Sequence, residues 1–359
     1  MNDALRYYLA FNSGLTVVSA RGGDTDEVGT FFAGRTLEHL MGCRLRPEVV
    51  FAAVAFDGGY RTEDGGKSWE KVLEGDVRTF TVDPHDERVV YAGTGPIRLY
   101  RSEDRGRTWE PLDGLLAMPD EVKRKWDVPA GYRGQIPPHV RHIFVHEDDT
   151  RLIYLALEHG GVVLSRDGGA TWEDASDGIG YLDMHMLRNL PGDFERYFVS
   201  SARGFYASPN GGRDWRRSEA GMPWADTELY SYSHEWLFLE GPGPRMVLGG
   251  ARGSPGVWRR ERTKPGGHVL LSDDLGESWR PAANLATDMP WAPWVMLHHP
   301  DRGRPETVFA GMGDGTRGFG FDPNERGEGA LYRSGDRGET WDRVLDGLPS
   351  ILTAWVAAG

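Results

Sequence analysis

One eight-residue pattern, Ser/Thr-x-Asp-x-Gly-x-Thr/Ser-Trp, occurs six times along this 359-residue chain, beginning at Thr62, Ser102, Ser165, Ser208, Ser272 and Ser334. Its tryptophans are Trp69, Trp109, Trp172, Trp215, Trp279 and Trp341. The fourth copy carries Asn210 for the aspartate and Asp214 for the hydroxyl residue, and both substitutes can still make turn hydrogen bonds. A repeat of this kind marks one supersecondary unit that buries its apolar face only against its neighbours, so it dictates the fold before composition is considered. The pattern itself reads as a β-hairpin turn: glycine takes positive φ, the carboxylate accepts backbone N–H groups across the loop, and tryptophan folds beneath as a plug. The aspartates are therefore read as structural, since their task is complete within the turn.

Two further apolar runs precede each turn, for example Val77 to Val82 and Val89 to Gly93 ahead of Ser102, which gives four short strands per repeat. That is one blade of a propeller. The repeat resembles the Asp-box, or BNR, repeat of the sialidase-like propeller superfamily, and the resemblance covers nearly the whole chain. It implies that each box joins the third and fourth strands of a blade, on the face away from the ligand. Residues 6–34 hold strand-like runs at Tyr7 to Phe11, Leu15 to Ser19 and Gly29 to Ala33, with a degenerate box from Ser19 to Asp24. The run Ile351 to Ala358 supplies one more strand. The expected fold is all-β: a single seven-bladed β-propeller, one domain over residues 1–359, with four-stranded antiparallel blades and a ring closed by strands from both termini. Six blades with a separate N-terminal strand pair is the alternative.

The net charge of −13 argues against a nucleic-acid partner and against an anionic membrane surface, because both need a surplus of Lys and Arg. The one cysteine, Cys43, excludes an internal disulfide and Cys-rich zinc motifs, and reads as a buried thiol. With no basic n-region, apolar h-segment or run of eighteen apolar residues, the chain reads as cytoplasmic; a trimmed signal peptide would leave the same picture.

Box starts are spaced by 40, 63, 43, 64 and 62 residues, so three repeats exceed the forty-odd residues of a four-stranded blade. The surplus falls at residues 115–138, between a fourth strand and the next first strand, and at 252–267 and 313–329, between second and third strands. Both connection types emerge on the face opposite the boxes, so all three insertions decorate one rim. Trp126, Trp224, Trp258, Trp291 and Trp294 fall on or beside these connections. They are either an aromatic platform for substrate or hydrophobic plugs for the loops themselves.

Aligned on the turns at Asp83, His146, Asn189 and His299, the residue four positions earlier on each innermost strand is Thr79, His142, His185 and Val295. If Cys43 takes the turn position in the first repeat, His39 joins this register, and His234 lies two residues further out on its strand. Four imidazoles beside Glu38, Arg141, Asp183 and Glu235 then face an axial funnel. Such a set suits a divalent transition metal, zinc foremost with iron or manganese as alternatives. A metal-free polar pocket and plain channel lining are the other readings.

The functional expectation is a metal-dependent hydrolase of a small ester, phosphoester or lactone at the mouth of the channel. His39, His142, His185 and His234 would be ligands, Glu235 or Asp183 the general base, and Arg141 an oxyanion stabiliser. The alternative is a non-catalytic protein- or ligand-binding propeller, resembling photosystem assembly-factor propellers of the same repeat class. A glycoside hydrolase ranks lower: the Arg-Ile-Pro start and assignable arginine trio of sialidases are missing, and xyloglucan hydrolases pair two propellers around their cleft. The expected partner is a small-molecule substrate, and the chain is expected as a monomer or weak homo-oligomer.

Overall fold

The computed structural model describes residues 4–126, 137–225, 231–285, 289–314 and 327–359. These residues form seven four-stranded antiparallel sheets, the blades of a seven-bladed β-propeller. In chain order the strands are β1 (Ala4–Phe11), β2 (Gly14–Arg21) and β3 (Asp24–Phe31); then β4 (Leu37–Gly42), β5 (Val50–Val54), β6 (Gly58–Thr62) and β7 (Glu70–Glu74). The next two blades are β8 (Val77–Val82), β9 (Val90–Thr94), β10 (Arg98–Ser102), β11 (Glu110–Pro111), and β12 (His139–Val145), β13 (Ile153–Glu158), β14 (Gly161–Ser165), β15 (Glu173–Asp174). They are followed by β16 (Met184–Asn189), β17 (Tyr197–Ser201), β18 (Gly204–Ser208), β19 (Arg216–Arg217), and by β20 (Ser231–Leu239), β21 (Arg245–Arg252), β22 (Gly267–Ser272), β23 (Arg280–Pro281). The last strands are β24 (Ala292–His298), β25 (Val308–Gly313), β26 (Gly329–Ser334), β27 (Asp342–Leu348) and β28 (Thr353–Ala358).

The terminal blade has the order β28-β1-β2-β3. Its innermost strand comes from the C-terminal end, with Tyr8 opposite Trp355 and Leu5 opposite Ala358, as the unpaired runs at both ends require. The degenerate box is not built. Arg21 pairs with Asp24 and Ser19 with Asp26, while Gly22 and Gly23 both take positive φ, so a two-residue glycine hairpin makes the turn without a carboxylate.

The six repeated turns share one hydrogen-bond set. At the first, Thr62 Oγ1 donates to Asp64 Oδ1 (2.8 Å) and accepts the Gly66 N–H (2.9 Å), while Asp64 also accepts the Ser68 N–H (3.0 Å) and hydroxyl (2.6 Å). At the fourth, Asn210 Oδ1 accepts from Ser208 (2.9 Å) and the Asp214 N–H (3.2 Å), so the amide fills the carboxylate's place. The glycine is obligatory: Gly106 has φ +73°, and a Cβ there would lie 2.6 Å from the Phe51 ring. The Trp172 and Trp341 indoles donate to the Gly169 and Gly338 carbonyls of their own turns (3.1 and 2.9 Å), and those of Trp215 and Trp279 to the Ala175 and Ser218 carbonyls (2.8 and 2.9 Å).

The chain divides into two compact units. Met1–Leu37, Ser200–Phe205 and Arg217–Gly359 form the first; Glu38–Val199 and Tyr206–Arg216 form the second. Within the second, Phe51, Ala53, Val77 and Phe80 pack blade to blade, and Val140, Ile143, Leu155 and Val163 form a further core. Within the first, Val247, Val269, Met296 and Ala310 do the same. Cys43 is buried, and burial together with Glu87 pushes its thiol up to about 12. No helix among the described residues is long and apolar enough to cross a membrane.

All three insertions occupy the expected connections, between β11 and β12, β21 and β22, and β25 and β26. The first carries a single helical turn, α1 (Asp120–Lys123). It contributes Leu115 and Met118 to the core of the second unit, with Trp126 half-buried on the same cluster. The second folds as a short helix, α2 (Pro255–Glu261). Residues 127–136 and 315–326 of the insertions lie outside the described residues.

Candidate ligand site at the inner-strand ends of the second unit

The inner strands β4, β8, β12 and β16 each run into a turn whose first N–H bonds to the residue just before the second strand. Cys43 donates to Val49, Asp83 to Val89, His146 to Leu152 and Leu190 to Arg196. Cys43 thus takes the turn position, and His39, Thr79 and His142 share one register. His185 does not: Leu190, not Asn189, makes the turn bond, and Asn189 ends β16 with its amide donating to the Asp193 carbonyl (2.9 Å). The slip by one residue moves His185 into the register of Glu38, Arg78 and Arg141 and puts Met186 in the register of His142.

The inner strands are bulged here. The register with the second strand shifts between Val77 and Thr79 and between Val140 and His142, which places Arg78 and Arg141 in the bulges, where a strand re-aims its side chains. Arg78 is fully buried and grips Asp76 with two hydrogen bonds (2.7 and 2.8 Å), and its guanidinium lies 4.5 Å from the exposed Phe56 ring. Glu38 lies 3.8 Å from Arg78 and 3.4 Å from Arg141, and Arg141 lies 3.8 Å from Glu158. His139 Nε2 is 3.3 Å from the same Glu158. Burial alone would raise the Glu158 carboxyl, but His139, Arg141 and His185 hold it well below the usual carboxylate range. Asp183 lies 4.0 Å from His185.

Two imidazoles sit against this chain of charges. His39 Nδ1 accepts the Phe80 N–H (3.3 Å) and faces the Thr79 hydroxyl (3.4 Å). Desolvation, then Arg141 and Arg188, lowers its pKa to about 3. His142, only 8% exposed, has a buried Nδ1 with no hydrogen-bond partner among the described residues. Desolvation, then Arg188, His39 and Arg141, holds it well below the usual imidazole range.

Among the described residues no group of three or more His, Cys, Asp or Glu side chains is arranged to hold a metal ion. His39 spends the Nδ1 lone pair on a backbone amide, so its neutral ring carries the proton on Nε2 and has no lone pair for a metal. His142 and His185 belong to the second unit and His234 to the first. In β20 the register shifts between Ser233 and Trp236, so the buried Trp236 holds the position that His142 holds in β12. His234 lies in the bulge, where its Nδ1 bonds the Trp294 carbonyl and its ring stacks on Tyr232. The expected base, Glu235, accepts the Met296 N–H (3.1 Å).

Three of the five rim tryptophans are plugs. Trp224, Trp258 and Trp294 are 4%, 5% and 0% exposed. Trp258 donates to the Arg252 carbonyl (2.9 Å) and packs edge-on against Tyr232 and Trp294, so with Val257 it is the buried side of α2. Trp126 and Trp291 are half-buried, and Arg343 lies 5.3 Å over the Trp291 ring. Arg78 joins the site without having stood out in the sequence; the signal that marks it is a cation on an apolar inner strand, beside the His register.

No protein-family profile and no curated protein matches this sequence. The fold matches solved propellers. A GH74 enzyme of Niastella koreensis superposes with a TM-score of 0.60 at 14% identity, covering 86% of this chain and 45% of that one. YCF48 bound to D1 peptide gives 0.52 at 16% identity over 86% of this chain and 81% of its own. Dihydro-heme d1 dehydrogenase NirN in complex with DHE gives 0.55 at 11% identity, covering 98% and 75%. The chain spans less than half the length of the GH74 enzymes it matches.

Proposed function

We propose that this protein is a non-catalytic ligand-binding propeller whose ligand seats on the inner-strand ends of β4, β8, β12 and β16. One observation carries the reading: Arg78, Glu38, Arg141 and Glu158 form one chain of ion pairs, and His39 and His142 lie desolvated against it. His39 and His142 stay neutral at physiological pH, Glu158 stays ionised, and Arg78 and Arg141 are each held by carboxylates. Acid–base catalysis needs a group titrating near the working pH, which these are not. A glycoside hydrolase needs a carboxyl whose pKa is raised so that it can protonate the leaving oxygen, and Glu158 is shifted the opposite way. The metal-dependent hydrolase expected from the sequence needs a ligand set, and among the described residues no group of three or more His, Cys, Asp or Glu side chains is arranged to hold an ion. From its neighbours the reading takes only that YCF48 was solved with D1 peptide and NirN with DHE.

A thermal-shift screen of small molecules and peptides, run beside chromogenic ester and glycoside panels with and without added zinc, tests it. Ligands should raise the midpoint of the wild type and not of Arg141→Gln, with no turnover. Turnover that Arg141→Gln or His185→Ala abolishes in folded protein would overturn the reading.

A further inference from the structure

We propose that the outer edge of β3, in the first unit, is a docking edge for a basic extended segment of a partner protein, which adds to the terminal blade as a fifth strand. The proposal goes beyond the ligand-binding reading and concerns a different unit of the chain.

The edge exists because the terminal blade has no box. Its last turn is the two-residue glycine hairpin at Gly22 and Gly23, so β2 and β3 pair from the turn onward, from Arg21 with Asp24 to Leu15 with Phe31. In four other blades the box takes up the chain, and the outer strands β11, β15, β19 and β23 are two residues long. β3 has eight residues and is the last strand of its sheet, an edge of about 27 Å. In a two-residue hairpin the residues flanking the turn exchange both backbone hydrogen bonds, and the pattern alternates along the ladder. Asp24 and Asp26 therefore spend their backbone groups on β2, while Thr25 and Glu27 present theirs outward.

Open edges accept strands, and proteins commonly blunt them with charge. Here the charge has one sign. Asp24, Asp26 and Glu27 are exposed, and among the described residues none makes an ion pair; the bond that Glu27 accepts from the Thr30 hydroxyl (3.0 Å) is a neutral contact. Arg21, the only cation of β2 and β3, lies across from Asp24 and leaves Asp26 and Glu27 uncompensated along the edge. The other two longer outer strands differ. On β7, Glu70 pairs with Arg61 and Glu74 with Lys71. On β27, Arg343 lies beside Asp346 and Tyr332, and the register with β26 shifts twice.

A second copy of β3 is a poor occupant, because antiparallel pairing of two such edges sets carboxylates against carboxylates. The net charge of −13 adds to that repulsion. A segment with Lys or Arg at alternate positions meets the opposite situation: its backbone completes the outward groups of Thr25 and Glu27 while its cations lie over the carboxylates. The charge on the edge thus selects its occupant by attraction to one strand and repulsion of another.

The test is a titration of full-length ¹⁵N-labelled protein with the synthetic peptide Lys-Val-Lys-Val-Lys-Val-Lys. Two comparators accompany it: the same peptide with glutamate for every lysine, and one with proline for every valine, which keeps the charge but cannot join a ladder. Hydrogen exchange of the Thr25 and Glu27 amides should slow saturably with the first peptide and with neither comparator. Affinity should fall about tenfold or more in the triple variant Asp24→Asn, Asp26→Asn, Glu27→Gln. Exchange unaltered by the lysine–valine peptide, an equal effect from either comparator, or undiminished affinity in the triple variant would overturn the proposal. Should the triple variant not fold, the same affinity for wild type at about 0.05 M and about 0.5 M sodium chloride would overturn it equally.

Discussion

His39 Nδ1 lies 3.3 Å from the Phe80 amide nitrogen, and Glu235 Oε2 lies 3.1 Å from the amide nitrogen of Met296, which is to β24 what Phe80 is to β8. Each acceptor reaches from one inner strand to the exposed edge of the inner strand of the next blade. An inner strand has a partner on one side only, so its outer N–H and C=O groups need another source of hydrogen bonds. Thr81 serves the Ile143 carbonyl in the same way (2.8 Å), and His234 the Trp294 carbonyl. The polar residues of the inner strands are thus in part stitches between blades, which is why several that look like chemistry in the sequence are already occupied.

Removing such a stitch leaves a buried N–H without a partner, at a cost of about 1–3 kcal/mol. His39→Ala and Glu235→Ala are expected to lower unfolding free energy by that amount in urea titrations. Glu235→Gln keeps a carbonyl acceptor and should cost less than about 1 kcal/mol. An equal loss in Glu235→Gln would show that charge rather than the Met296 contact matters.

Asp167 should make the fold acid-sensitive. The Thr171 hydroxyl and backbone N–H, with Ser165, hold its pKa at about 2. The folded value lies below the unfolded one of about 3.9, so the contribution is complete above that value and is lost as pH falls through about 2. Asp167→Asn copies the natural exception at Asn210, so it should fold normally at neutral pH and show a shallower fall in stability between about pH 4 and 2. An unchanged acid-unfolding profile would remove the turn from that account.

Trp172 packs with Leu155 and Val163 beneath its turn and donates to Gly169. Trp172→Ala is expected to cost about 3–5 kcal/mol in equilibrium unfolding. Because the plug lies beneath the turn that follows Ser165, while His139 and Arg141 lie in the half of β12 away from that turn, ligand affinity of the folded variant should match wild type. A lost ligand response in folded Trp172→Ala would mean that the box end of the blade shapes the seat.

Blades and box turns were legible because each is a local, repeated solution: a two-residue period, a glycine at positive φ, a carboxylate closing its own loop. The terminal blade was legible for a different reason, that apolar runs at the two ends lacked partners. The candidate site was legible only in part. Its histidine register held at His39 and His142 because Cys43 and His146 make the turn bonds, and failed at His185 because Asn189 looks like a turn former while Leu190 makes the bond. At His234 it failed because a bulge adds a residue that no sequence signal marks. That Trp224, Trp258 and Trp294 are buried was not legible, because the packing of Trp258 against Tyr232 and Trp294 is a tertiary choice.

The last strand offers the most direct test of the fold. β28 pairs with β1 over six residue pairs from Leu5–Ala358 to Ala10–Thr353, and Ala354 and Val356 lie in one core with Leu5, Tyr7, Leu9 and Phe309. A chain ending at Leu352 would leave the inner edge of β1 unpaired and that core open on one side, in a blade whose other strands come from the opposite end of the sequence. Such a chain is expected to lose several kcal/mol, enough to consume much of the usual 5–15 kcal/mol of a folded domain, and to expose an edge prone to self-association. A synthetic peptide of residues 353–359 supplied in trans should add back as a strand and raise the melting midpoint in a concentration-dependent manner. A peptide with Val356→Asp, which places a carboxylate in the apolar core, should not. A truncated chain as stable as the full one, or equal rescue by both peptides, would mean that β28 is dispensable to the blade.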